Sequence, residues 1–393
     1  METKSAKETQ DQGLAIKQVD RPNRKVIVSL AYLVFLFSLF AGVEGIARIM
    51  GAYSKDPNLH RILYDYGRLA KSELSQFRFV PDVVLPYRLK PGFEFTSTDG
   101  YQTTTHNSSG FRGAEFTPKS DNALRIICLG GSTTYGVSVV DNAATYPYSL
   151  KRLLNDDSRR VGWNKVEVYN LGVGGYTSRE VLTTLKLYGL PLEPDIVLIQ
   201  SGVNDVVPRF YPSFNRDYTH FRKSLQPLNT TFLARTAYSS HLFIIAGWKM
   251  GFLTPLTLQS QSQYPMPTVL EAVVNLTRND TQAYRDNLVE SIDLSEKADA
   301  QIWLLTQAHM FNTAFQSHTK DMRLLDEAYH RGMVEHNALI RELAKNKSIG
   351  LIDLEKTMPP NRAYFHDPIH MSEEGNRIKA KLIAESLQKN WDR

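Results

Sequence analysis

From Asp121 to the C-terminus, short apolar runs of strand length alternate with segments of helical periodicity, and this leaves few folds open. Residues 124–129, 166–170, 196–200, 302–306 and 350–354 are short, apolar and suited to strands buried on both faces. Residues 146–154, 178–188, 321–345 and 372–388 read as helices; in the second, Val181, Leu182, Leu185 and Tyr188 recur at the spacing of one helical face. Ser372 is placed to cap the last of them, and Glu373 and Glu374 suit a first turn, where the helix dipole favours negative charge. Strands alternating with helices imply a parallel sheet covered on both faces. In such sheets reacting groups collect beyond the carboxyl ends of the strands.

The N-terminal part obeys different rules. Residues 26–43, VIVSLAYLVFLFSLFAGV, carry no charge. As a helix rising 1.5 Å per residue the run is about 27 Å long, close to the hydrocarbon thickness of a bilayer. Ile46 and Ala47 extend it past Glu44, so a signal-anchor helix is expected over 26–47. Arg21, Arg24 and Lys25 just before it predict an N-terminus inside, with residues 1–25 a cytoplasmic tail, and the rest outside, in a periplasm, lumen or cell exterior. A cleaved secretory signal is the alternative, although its leader of about 25 residues is long for one. Residues 48–120 are rich in Pro, Gly, Tyr and Thr and read as a stalk and small subdomain before the main domain over 121–393. Between 206 and 281 the alternation breaks down, as expected of an insertion covering the site. Its apolar piece, 242–248, is too short to span a bilayer and reads as core or lid in preference to a lipid-touching surface. There is no internal repeat.

Composition narrows the function. The net charge of +5 comes without a Lys/Arg run, which argues against a nucleic-acid partner. The single cysteine, Cys128, lies in an apolar run and is expected to be core, so no intramolecular disulfide can support the fold. His309, His318, His330, His336 and His366 lack paired ligand spacing, and phosphate-loop and dinucleotide fingerprints are missing. No metal and no cofactor are therefore expected. His330 and His336 are placed on exposed helix faces, and His366 in solvent. Sequons begin at Asn107, Asn229, Asn275, Asn279 and Asn346.

Four segments follow the strand-like runs: Gly130-Gly131-Ser132-Thr133-Thr134, Asn170 to Gly175, Ser201 to Asp205, and Asp367-Pro368-Ile369-His370. Ester cleavage by a serine needs a base within hydrogen-bond reach, a carboxylate to fix the base's tautomer, and fixed donors for the oxyanion. Ser132 follows two glycines, so the backbone can turn sharply and aim its own N–H at the oxyanion. Gly175 can bring a second N–H close, and Asn204 offers an amide. Asp367 and His370, three apart across a proline, can form one tight turn, leaving Nε2 free for the Ser132 proton. Taken singly these segments also read as a plain turn, a strand-to-helix connection, a helix cap and a surface turn; their joint order after successive strands is what points to chemistry.

In that order they resemble the SGNH hydrolases, also called the GDSL lipases and esterases, which carry Ser, Gly, Asn and His in successive blocks. The matching positions are Ser132, Gly175, Asn204 and His370, with Asp367 as acidic partner, over residues 124–393. The first block reads Gly130-Gly131-Ser132-Thr133 where the namesake has Gly-Asp-Ser-Leu. The resemblance implies a flavodoxin-like three-layer α/β/α fold with a five-stranded parallel sheet and an esterase acting on O-acyl or O-acetyl groups of carbohydrate or lipid, with carbohydrate favoured. An O-acyltransferase using the same residues and a non-catalytic envelope scaffold are the alternatives. The expected partners are the ester substrate and, through the N-terminal helix, the membrane.

Overall fold

In the computed structural model the described residues are 24–71, 77–97, 99–157, 163–221, 224–225, 228–253, 267–311 and 325–391. They form two compact units, one of Met1–Ala70 with Thr236–Thr254 and one of Lys71–Arg235 with Pro255–Arg393.

The larger unit is built on five strands: Ala123–Gly130, Lys165–Gly172, Ile196–Gln200, Gln301–Leu305 and Gly350–Ile352. They pair in parallel in the order second, first, third, fourth, fifth, which is the flavodoxin-like order. Successive side chains of a strand point to opposite faces, and both faces here are covered. Ile127, Leu129, Val197, Ile199, Ile302 and Leu304 pack beneath Val181, Leu288, Ile292, Ile340 and Leu343 of helices Ser178–Thr184, Gln282–Lys297 and Asp326–Lys347. Ile126, Cys128, Ile196, Leu198 and Leu305 pack beneath Leu150, Leu154, Ala380, Ile383 and Leu387 of helices Tyr146–Asp157 and Glu373–Trp391. This is the expected three-layer fold, with Cys128 buried in it. The last helix begins as expected, with Ser372 Oγ accepting the Gly375 N–H at 3.1 Å. The helix expected over 321–345 runs from Asp326 to Lys347; residues 321–324 lie outside the described residues.

The domain expectations meet a different division. Within 48–120, residues 57–70 form a helix of the smaller unit, because Leu59, Ile62, Tyr66 and Leu69 recur at helical spacing and are buried together on one face. The local density of Pro and Gly that suggested turns begins only after it. Two short hairpins follow, Phe79–Val80 with Arg88–Leu89 and Glu94–Thr96 with Thr103–Thr105. Leu85, Tyr87, Leu89 and Phe111 from this region join the core on one face of the sheet. The stretch 206–281 divides likewise. Phe210, Ala272 and Leu276 pack with Ala328 and Met333 of helix Asp326–Lys347, whereas 236–254 belongs to the smaller unit. The Asn107 and Asn275 side chains are buried, and the Asn279 amide donates to the carbonyls of Arg209 and Tyr211, so none of these three sequons presents a free amide.

In the smaller unit, helix Arg24–Tyr53 is long and apolar enough to cross a membrane, and its residues 26–43 are exposed. Length and composition suit a membrane span or a signal sequence alike.

The fold leaves no room at one point of the larger unit. A Cβ on Gly172, the last residue of the second strand, would lie 2.3 Å from the backbone nitrogen of Tyr135, whereas one on Gly174 would meet nothing closer than 3.8 Å. Gly172→Ala is expected to destabilise the full chain in detergent by about 1–3 kcal/mol, as overpacking does, and Gly174→Ala to leave the midpoint of thermal unfolding within error. Equal midpoints for the two variants would contradict this packing.

Candidate active site

The first strand ends at Gly130, and after Gly131 a single helical turn, Ser132–Tyr135, lies across the carboxyl edge of the sheet. Far along the chain, the turn 367–370 is tied down by its own carboxylate. Asp367 Oδ1 accepts the backbone N–H groups of Ile369 and His370 at 2.9 and 2.8 Å, and Oδ2 accepts the His370 Nδ1 proton at 2.6 Å. A carboxylate can only accept, so a proton sits on Nδ1, and in the neutral imidazole Nε2 then carries the lone pair. That lone pair faces Ser132 Oγ at 2.7 Å across 238 residues of sequence. Burial pushes the Asp367 carboxyl upward, but the hydrogen bonds from the His370 ring and the two backbone N–H groups outweigh it and hold the group below its ordinary value.

Two further elements converge on the same turn. The Asn204 amide donates to the Tyr176 carbonyl at 2.8 Å, and Nδ2 lies 2.8 Å from where a Cβ of Gly131 would stand. One of its two hydrogens is thereby used. Gly175 has φ +82°, a backbone conformation that favours glycine. Its neighbours are pinned by Tyr87, whose hydroxyl donates to the Gly174 carbonyl at 2.9 Å while its carbonyl accepts the Tyr176 hydroxyl. A Cβ on Gly174 would stand 4.0 Å from Ser132 Cβ. The five residues singled out from the sequence therefore lie on four turns. A serine hydroxyl held against an imidazole that is itself fixed by a carboxylate can give up its proton as it attacks a carbonyl carbon.

Sequence reasoning missed the buried polar platform beside these turns. Thr133 Oγ1 is 3.4 Å from Gln200 Oε1 and 3.5 Å from Gln307 Oε1, and Gln307 Nε2 donates to the Ile369 carbonyl at 3.4 Å. Lys379, fully buried, donates to Gln200 Oε1 at 2.5 Å, approaches the Thr133 carbonyl at 3.5 Å and sits 3.7 Å from the centroid of the Tyr146 ring. Neighbours of Ser132 and of His370 are thus held by one network. Its visible signal was a lysine on the apolar face that Ala380, Ile383 and Leu387 share. Arg112, also missed, donates to the carbonyls of Tyr135, Gly136, Val139 and Val140 and fastens the loop after Ser132.

Other polar expectations divide. His366 is exposed and His330 half-buried. His336 is fully buried, a correction to its expected exposed face: Nδ1 lies 2.9 Å from the Gly202 carbonyl, Nε2 lies 3.2 Å from Arg209, and the ring stacks on Tyr284. Burial, with Arg209 alongside, pushes its imidazole down to about 3, so it stays neutral. Asp205 beside Asn204 accepts the N–H and hydroxyl of Ser178 and the Tyr218 hydroxyl, and burial pushes its carboxyl up to about 6.

The sequence belongs to the GDSL-like lipase/acylhydrolase family, whose model matches residues 128–378. Similar solved structures include a lipase/acylhydrolase from Enterococcus faecalis, 16% identical, with a TM-score of 0.41, covering 68% of this chain and 96% of its own. A catalytic mutant of an acetylxylan esterase from Geobacillus stearothermophilus is 14% identical, with a TM-score of 0.38, covering 70% and 96%. A psychrotrophic esterase from Pseudoalteromonas sp. is 13% identical, with a TM-score of 0.39, covering 70% and 100%. No curated protein is a significant match to the sequence.

The platform makes stability depend on pH. Burial pushes the Lys379 ammonium down to about 7, against about 10.4 in an unfolded chain. Between those values the unfolded chain holds a proton that the folded chain lacks, so Lys379 makes stability rise with pH across the window, by on the order of 4 kcal/mol in total. Lys379→Met is expected to remove that slope. Denaturation midpoints of both chains at pH 7 and pH 9.5 check it: wild type should gain on the variant at the higher pH, and parallel behaviour would contradict the assignment.

Proposed function

We propose that this protein is a serine esterase that cleaves an O-acyl ester through an acyl-enzyme on Ser132. The observation carrying the reading is the 2.7 Å contact between Ser132 Oγ and His370 Nε2, with Asp367 on the far side of the imidazole. In this mechanism His370 takes the Ser132 proton as Oγ bonds to the ester carbon. The carbonyl oxygen, now negative, is received by the N–H groups of Ser132 and Gly175 and by the free amide hydrogen of Asn204. Collapse of the tetrahedral intermediate breaks the C–O bond, and His370 returns the proton to the departing alkoxide. Water then attacks the acyl-enzyme with His370 as base, releasing the acid and restoring Ser132. Asp367 holds the ring in the required tautomer and stabilises the imidazolium. Acyl-hydrolase membership of the family supports the reaction class.

The substrate we propose is an O-acyl or O-acetyl group on a carbohydrate or lipid outside the membrane. The apolar helix Arg24–Tyr53, with Arg24 and Lys25 at its start, supports an anchor that leaves the N-terminus inside.

Hydrolysis of a panel of aryl esters, acetylated sugars and lipid esters by the full chain in detergent tests the reading. Ser132→Ala and His370→Ala should each lower kcat by about 10⁴-fold or more. Asn204→Ala should lower it by about 10²–10³-fold with KM little changed, as expected for a donor that acts in the transition state. Hydrolysis by Ser132→Ala at the wild-type rate would remove Ser132 from the reaction.

A further inference from the structure

The smaller unit holds a segment that the proposed chemistry does not use. Residues 241–253 read HLFIIAGWKMGFL, with helix over His241–Lys249, and the helix is apolar all round instead of on one face. Such a helix belongs inside a protein or a bilayer. Here Ile244 and Gly247 are buried within the helix and Leu253 beyond it, whereas Phe243 is 44% exposed, Met250 62% and Phe252 71%.

Glu44 fixes where this segment lies. It is the first charged residue after the uncharged run 26–43, which places it at the edge of the hydrocarbon if that run spans a bilayer. Its carboxylate accepts the Ser240 hydroxyl at 2.7 Å and the N–H groups of His241 and Leu242 at 3.0 and 3.1 Å, capping the helix from another part of the chain. Arg48 pairs with the same carboxylate at 2.8 Å and donates to the Ser239 carbonyl at 2.9 Å. The charge is therefore met by an ion pair and by the positive end of a helix, the partners such a group needs near lipid. Further along, Ala47 and Gly51 are buried, and a Cβ on Gly51 would meet Leu63 at 2.7 Å and the His241 ring at 3.3 Å. The end of the apolar helix is thus built into the unit through Glu44, Arg48, Ala47 and Gly51. A helix of this length that starts at Glu44 stays within about 14 Å of that level. It ends in Trp248 and Lys249, with the ammonium 4.4 Å from the indole centroid, residue types that suit the membrane–water interface.

We propose that residues 241–253 are a second membrane contact, a short helix held at the lipid surface by Glu44, with Phe243, Met250 and Phe252 entering the interfacial layer of a phospholipid bilayer. The inference rests on reading helix Arg24–Tyr53 as a retained anchor. It turns the segment from the expected core or lid into a lipid-facing element, so that the unit grips the bilayer at two places.

The native thiol suits a labelling test, because Cys128 is fully buried and pushed up to about 12. Four full-length variants, Val34→Cys, Phe243→Cys, Phe252→Cys and Tyr101→Cys, are labelled with an environment-sensitive NBD probe. They are reconstituted into phosphatidylcholine vesicles with and without doxyl-labelled lipid. Tyr101, 89% exposed in the larger unit, is the water control. Probes at 34, 243 and 252 are expected to emit at shorter wavelength and to lose at least half their emission to the doxyl lipid, with the probe at 101 unchanged. Quenching at 34 with water-like emission at 243 and 252 would overturn the second contact and leave the anchor standing. Water-like emission at 34 as well would overturn both readings. Short-wavelength emission at 243 and 252 without quenching would assign the face to a second copy of the chain and overturn the lipid contact.

Discussion

Ser132 can stand where it does because the backbone packs against backbone beneath it. Gly130 and Gly172 are partners on neighbouring strands. A Cβ on Gly130 would lie 2.3 Å from the Gln200 carbonyl oxygen, and one on Gly172 would lie 2.3 Å from the Tyr135 nitrogen. No side chain fits in that gap, and the turn Ser132–Tyr135 settles directly on the sheet. Interiors close-packed to this degree do not yield continuously, so the height of the serine above the strands is fixed by the absence of atoms below it. The turn 367–370 is then held to it, not by sequence proximity, but by the fifth strand and last helix of the same sheet.

The two turns are locked laterally by polar groups that never reach solvent. Thr133, Gln200, Gln307 and Lys379 join the neighbours of Ser132 to the Ile369 carbonyl. Burying a lysine without a carboxylate beside it is unfavourable. Here the Gln200 oxygen and the Tyr146 ring offset part of that penalty and the ammonium is depressed toward neutrality. A network of this kind has geometry that apolar packing alone does not impose, since every donor needs its acceptor in one place. The short Ser132–His370 contact is the product of both constraints, steric from below and polar from the side.

What could be read in advance follows from the same physics. Strands buried on both faces of a parallel sheet are mostly apolar, so their existence and number stood out even with the buried pair Arg125–Glu167 inside two of them. Ligand sites in such sheets lie beyond the carboxyl ends of the strands, so Ser132, Gly175, Asn204, Asp367 and His370 could be picked as candidates from turns that individually look ordinary. The rest was hidden where a residue's state depends on a distant partner. His336 sits on a helix of mixed polarity, and only Arg209, Gly202 and Tyr284 make it buried and neutral. Lys379 shares the apolar face of Ile383 and Leu387, but only the fold shows that Gln200 is its partner. Glu44 interrupts an apolar run and looked like its interfacial end; that it caps a helix almost 200 positions away was not in the local pattern. The helix Pro57–Ala70 was masked by the Pro- and Gly-rich segment after it. The apolar stretch 242–248 showed that it must be covered, but not by what.

The central claim is that Ser132, and no other hydroxyl, is the group activated by His370. Treating the full chain in detergent with a fluorophosphonate and locating the modification by peptide mass spectrometry tests it most directly. The account predicts a single adduct on Ser132, formed at the rate at which ester hydrolysis is lost. An adduct on a different serine accompanying that loss, with Ser132 unmodified, would contradict it.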